Sequence, residues 1–152
     1  MSTHQGRWDL FFLQLAALYA AKSKDPSTKV GCVIVRPDNT QASAGYNGLP
    51  PGVADTPERL ENAALRNELT LHAESNALWF IRDPKPLLGF RAYISPVITC
   101  PKCALELIRS GIKEIIVPFP FLTKTNGGFD LSASLPLFKE AGVIMRGPSH
   151  VA

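Results

Sequence analysis

Apolar residues recur through Trp8–Lys22 at Leu10, Phe11, Leu13, Leu15, Ala17, Leu18 and Ala21. That spacing predicts a helix apolar over much of its circumference. The helix should stop near Ser23, because Asp25 precedes Pro26 and a residue before proline avoids helical backbone. Val30–Arg36 (VGCVIVR) is a short apolar run rich in β-branched residues, which predicts a buried strand. Pro37-Asp38-Asn39 signals a turn, so Thr40–Tyr46 is expected to return as a hairpin partner.

The Gly- and Pro-rich Asn47–Pro57 reads as a loop. Thr56-Pro57 then supplies a cap and a first-turn proline for a helix to about Asn67. A further helix is expected over His72–Arg82, closed by Asp83-Pro84, and a third strand over Phe90–Ser95. Pro101–Ser110 predicts a helix stopped by Gly111. Strand Glu114–Pro118, loop Pro118–Asp130, helix Leu131–Ala141 and strand Val143–Met145 complete the chain. Strands separated by single helices imply parallel neighbours in a sheet covered on both faces, with the first pair antiparallel. No repeat or linker interrupts the pattern, so residues 1–152 are expected to form one domain with its core at about 8–146.

Composition narrows the picture modestly. Of 152 residues, 45% are hydrophobic and 19% charged, ordinary globular values. A net charge of +3 is too weak to point to a nucleic-acid partner, and it suits a small anionic substrate. Met1–Arg7 is polar with no leader pattern, and the apolar stretch Leu10–Ala21 is shorter than the roughly 20 residues that span a bilayer. The expectation is a cytoplasmic protein without membrane contact. In a reducing compartment a Cys-x-x-Cys pair binds metal or does chemistry more often than it forms a disulfide.

One such pair is present, Cys100-Pro101-Lys102-Cys103, where a helix is expected to begin. Twenty-eight residues before Cys100 stands His72, in His72-Ala73-Glu74, again at a helix start. One imidazole and two thiolates make a three-ligand tetrahedral zinc site with a fourth position left for water, the catalytic rather than the structural pattern. Glu74, two residues on, faces a different side of the helix from His72 and can act on that water without ligating the metal. His4 and His150 lie near the termini and are expected to be solvated. Cys32, inside a buried strand, reads as core filling.

His-x-Glu followed by Cys-x-x-Cys is the zinc deaminase signature. The whole chain resembles the cytidine and deoxycytidylate deaminase family, and most closely its deoxycytidylate (dCMP) deaminases. The matching segments are Ser23–Gly31 (SKDPSTKVG), Gly45–Gly48 (GYNG), His72–Ala77 (HAESNA), Cys100–Ala104 (CPKCA), Ser110–Glu114 (SGIKE) and Leu137–Val143 (LFKEAGV). The resemblance implies a three-layer α/β/α sandwich around a five-stranded mixed sheet, in agreement with the element order. It implies hydrolysis of dCMP to dUMP and ammonia by zinc-bound hydroxide, with Glu74 as proton shuttle. It places Asn47 against the sugar, Ser23 and Lys24 near the phosphate, and Ala73 among the substrate contacts. It also implies a homo-oligomer, dimer or hexamer, and allows dCTP and dTTP as effectors. No His or Cys remains for a second, structural zinc, so one zinc per subunit is expected.

Two departures stand out. Family members usually carry Pro before the first Cys; here that residue is Thr99, and Ser95-Pro96-Val97-Ile98-Thr99 is one residue longer than usual. In the family this loop lines the base pocket, so a different nucleotide or nucleobase, a modified pyrimidine or a purine, is the alternative substrate. The second departure is the loop Phe119–Phe129, which lacks an expected Tyr-Asp pattern; Phe119, Phe121 or Phe129 could stack on the base, fill core or meet another subunit. A tRNA adenosine deaminase shares both metal motifs, but Gly147–Ala152 offers no basic tail and GYNG speaks against it.

Overall fold

The structure, a computed structural model, describes residues 3–149. A five-stranded sheet has the order β2-β1-β3-β4-β5. Its strands are β1 (Gly31–Val35), β2 (Gln41–Tyr46), β3 (Arg91–Ser95), β4 (Glu114–Ile116) and β5 (Ile144–Arg146). β1 is antiparallel to β2 and to β3, while β3, β4 and β5 run parallel. The parallel pairs are those joined by single helices, as the element order predicts.

Side chains of successive strand residues point to opposite faces, and both faces are buried. Val33, Val35, Tyr93 and Ile116 meet α1 (His4–Ala20) through Phe12, Leu13 and Ala16. Cys32, Ile34, Ala92, Ile94 and Ile115 face the other helices, α4 (Ala73–Phe80), α5 (Pro101–Ser110) and α6 (Ser134–Glu140). The result is the expected three-layer α/β/α sandwich, and Cys32 is core filling. No helix of the described residues is long and apolar enough to cross a membrane.

Two elements differ from the sequence expectation. α1 begins four residues earlier, at His4, because the Thr3 side chain caps it by accepting from the Gly6 N–H at 2.9 Å. His4 is exposed and its ring meets Trp8 edge-on; His150 lies outside the described residues. The helix expected from Pro57 is two, α2 (Pro57–Glu61) and α3 (Ala63–Leu69). Asn62 leaves the helical region and caps the second by accepting from the Leu65 N–H at 3.1 Å. Gly111 ends α5 as predicted, in the left-handed region at φ 94°.

α4 is pinned to β2. Ser43 donates to the Ala77 carbonyl at 2.7 Å, and the Asn76 amide to the Tyr46 carbonyl at 2.8 Å. Between them Gly45 lets the backbones touch: a Cβ there would lie 2.6 Å from both the Ala73 oxygen and the Ala77 nitrogen. Gly45→Ala is expected to lower unfolding free energy by about 1–3 kcal/mol, read by denaturant unfolding. It should also depress turnover, because α4 carries Glu74 and a shift of about 1 Å can cost 100-fold.

Candidate active site

The site assembles where two helices start against the sheet. Gly48 and Leu71 exchange backbone hydrogen bonds at 3.0 Å, which delivers the chain to His72 in extended conformation as the N-cap of α4. Cys100 is the N-cap of α5, its sulfur accepting from the Cys103 N–H at 3.4 Å. Cap residues project from the helix end rather than along it, so both aim into one space. His72 Nδ1 lies 3.3 Å from Cys100 Sγ and 3.4 Å from Cys103 Sγ.

Among the described residues these three form the group of metal-ligating side chains, all donor atoms within 4.8 Å of one another. Tetrahedral zinc with ordinary Zn–N and Zn–S bonds sets neighbouring nitrogen and sulfur about 3.6 Å apart, so the donor set and its spacing fit the ion. With Nδ1 as ligand, the ring proton sits on Nε2.

Both helix N-termini contribute positive partial charge that favours thiolate. The Cys103 thiol donating to Cys100 brings the Cys100 thiol down to about 4, helped by His72. Cys103 moves the other way, since the shared proton stays on its sulfur and the thiol is buried. The Cys100 contact holds the imidazole of His72 above its ordinary value.

Glu74 is 4% exposed. Burial raises its carboxyl, the negative Cys100 sulfur adds to that, and His72, the backbone N–H of Glu74 itself and the Thr99 hydroxyl oppose it. Thr99, fully buried, donates to Glu74 Oε1 at 3.0 Å.

Beside this group opens a cavity of about 540 Å³ bordered by His72, Ala73, Glu74 and Cys100, within the size range of small-molecule sites. Asn47 borders it too. Its Oδ1 accepts from the Val30 N–H at 2.8 Å and its amide donates to the Thr28 carbonyl at 2.9 Å, leaving one N–H and one lone pair. Ser23 and Lys24 are not part of the lining. Ser23 is buried behind Asn47 and donates to its carbonyl at 2.8 Å. Lys24 faces solvent and pairs with Asp55 at 2.9 Å.

Sequence reasoning missed α3. Ala63, Arg66, Asn67 and Thr70 all border the cavity. Their spacing of i, i+3, i+4 and i+7 is one helical face. Arg66 Nε stands 3.5 Å from Asp25 Oδ2 and has no hydrogen-bond partner among the described residues. Of the three phenylalanines, Phe129 borders the cavity, Phe121 packs on the core and Phe119 is 74% exposed. Asn126 ties that loop over the cavity, its backbone N–H donating to Thr28 Oγ1 at 3.1 Å and its amide to the Ser27 carbonyl at 2.8 Å.

An imidazole and two cysteine sulfurs that would hold zinc, with a buried carboxylate beside them, match the donor set and acid–base group of the hydrolytic zinc deaminases. Residues 6–118 match the family model of the cytidine and deoxycytidylate deaminase zinc-binding region. An uncharacterized deaminase in the luxG 3' region of Aliivibrio fischeri is 36% identical over 140 residues, 90% of each chain. Mouse deoxycytidylate deaminase is 35% identical over 146 residues, 91% of this chain and 78% of that one. The dCMP deaminase of cyanophage S-TIM5 superposes with a TM-score of 0.72 at 19% identity, covering 93% of this chain and 97% of that one. The chain belongs to the cytidine and deoxycytidylate deaminase family: it is a zinc enzyme that hydrolyses C–N bonds.

Proposed function

We propose that this protein hydrolyses dCMP to dUMP and ammonia, with His72, Cys100 and Cys103 as zinc ligands and Glu74 as proton carrier. The observation that carries the reading is the buried Glu74, which with His72 and Cys100 borders a cavity of about 540 Å³. The substrate is taken from the deoxycytidylate deaminases that align along nearly the whole chain. When bound, zinc supplies the Lewis acidity that makes water a nucleophile near neutral pH.

The chain's own groups do the rest. Glu74 takes one proton from the attacking water and gives it to the ring nitrogen as the C–O bond forms; it then takes the second proton from the new hydroxyl and gives it to the amine as the C–N bond breaks, leaving the carbonyl of dUMP and ammonia. The Ala73 N–H, in the first turn of α4 where no helical carbonyl reaches it, meets the carbonyl edge of the base. The spare N–H and lone pair of Asn47 meet the sugar, and Ser23 holds Asn47 from behind.

For the phosphate, Arg66 is the cation in the cavity wall, and the hydroxyls of Ser27, Thr28 and Thr70 share that wall. Lys24 adds charge from the solvent side, its exposed pair with Asp55 being weak enough for a phosphate to open. Ammonia release from purified protein tests the reading. dCMP should be turned over and deoxycytidine far more slowly; equal rates on the two would sink the phosphate assignment.

A second reading is favoured by Val97 and Ile98, which border the cavity from the segment between β3 and Cys100 and could reshape the base pocket. A panel of other bases, nucleosides and nucleotides in the same assay separates the two readings. Added dCTP or dTTP tests effector control, and sedimentation velocity tests for a dimer or hexamer.

A further inference from the structure

Thr99 sits where the chain leaves β3 for the metal loop. Pro96–Thr99 is tied down outside the sheet: Val97 bridges to Leu122, and the Ile98 N–H donates to the Leu122 carbonyl at 3.1 Å. Beyond that tied segment the Thr99 side chain is turned inward. Thr99 has no exposed surface, and its hydroxyl reaches Glu74 Oε1 at 3.0 Å. As a β-branched residue it has few χ1 alternatives, so the hydroxyl is aimed before any substrate arrives. A carboxylate, by contrast, turns freely about its last torsion, which is broad and twofold.

We propose that Thr99 is a positioning residue for the proton transfers of Glu74, fixing Oε1 as an acceptor so that the moving proton is carried on Oε2. The hydrogen bond supplies what an imino acid at this position cannot, a donor. With one oxygen occupied, the carboxylate cannot exchange its two oxygens between the steps, and the same atom faces the water, the ring nitrogen and the departing amine. The proposal rests on the deaminase reading of Glu74. Thr99 touches neither substrate nor metal in this role, so it should shape kcat rather than KM.

Thr99→Val removes the hydroxyl at constant shape, and Thr99→Ser keeps it. Thr99→Val is expected to hold zinc at the wild-type ratio, to leave KM within about twofold, and to lose about 10- to 100-fold in kcat, the range of a hydrogen bond to a charged group. Thr99→Ser should keep most of kcat. A readout independent of turnover is the melting of metal-free protein. Thr99→Val should lower the midpoint by about 2–4 °C when Glu74 is present, and should not lower it in a Glu74→Ala background, where the hydroxyl has no partner.

Wild-type kcat in Thr99→Val overturns the proposal, as does an equal loss of midpoint in both backgrounds. Loss of zinc, or raised KM with kcat retained, also overturns it by assigning Thr99 to the metal loop or the base pocket. Whether Glu74 is the proton carrier at all is read separately, from Glu74→Gln, so failure of the two ideas looks different.

Discussion

Glu74→Gln is expected to bind zinc at the wild-type ratio and to lose about 10²- to 10⁴-fold in turnover, the usual worth of a positioned general acid–base group. The substitution keeps the shape of the side chain, and the Thr99 hydroxyl can still donate to the amide oxygen. What disappears is the ability to take and release a proton. Burial makes the wild-type carboxylate a stronger base than one in water, with the Cys100 sulfur acting in the same sense. A bound zinc ion would pull the other way through its positive charge. Zinc is measured by elemental analysis and turnover by ammonia release. Turnover within tenfold of wild type would mean that another group moves the proton. Loss of zinc would mean that Glu74 belongs to the ligand set.

The parts of this site that were legible in the sequence are those whose geometry is local. His72 and Cys100 each cap a helix, and Pro101 and Gly111 mark the start and stop of α5 by backbone chemistry alone. Apolar periodicity placed the strands and their covering helices, because burial on both faces leaves few polar positions in β1 and β3. The helix break at Asn62 was not legible. A capping asparagine inside a polar run looks the same as a solvated helical one until its side chain turns to the Leu65 N–H. α3 escaped notice as a cavity wall because its cavity face is polar, and apolar periodicity does not register Arg66, Asn67 and Thr70 as one side.

Long-range partners were hidden for a different reason. The resemblance places Asn47 against the sugar without showing what holds it, and its amide spans to Thr28 and Val30. Ser23 reads as a phosphate contact, yet its hydroxyl is spent on the Asn47 carbonyl. Thr99 was visible as a departure from pattern, but its partner lies 25 residues back in the chain. Spacing rules describe what one helix or strand can present, and a contact between elements appears only when the sheet order is known.

Removing the metal should have the largest effect on the whole molecule. Chelation is expected to abolish deamination and to lower the melting midpoint by about 10 °C, and one equivalent of Zn²⁺ per chain should restore both. The size follows from linkage: a ligand held at 1,000 times its dissociation constant stabilises by about 4 kcal/mol, and each kcal/mol moves the midpoint of a domain this long by roughly 2–4 °C. The ligands explain why stability and activity go together. His72 opens α4 and Cys100 opens α5, two helices that begin on separate segments and lie against the same sheet face. Without metal their ends are joined by the His72 contacts with two sulfurs and by the Thr99–Glu74 hydrogen bond. Cys103→Ala should reproduce the chelated state in untreated protein: zinc absent, turnover at background, and a lowered midpoint that added Zn²⁺ fails to restore. Cys32→Ala is the control, since that thiol is buried in the sheet core and should leave zinc content and turnover unchanged. Full turnover by chelated protein whose zinc has fallen far below one per chain would show that the three residues serve some purpose other than holding the catalytic ion.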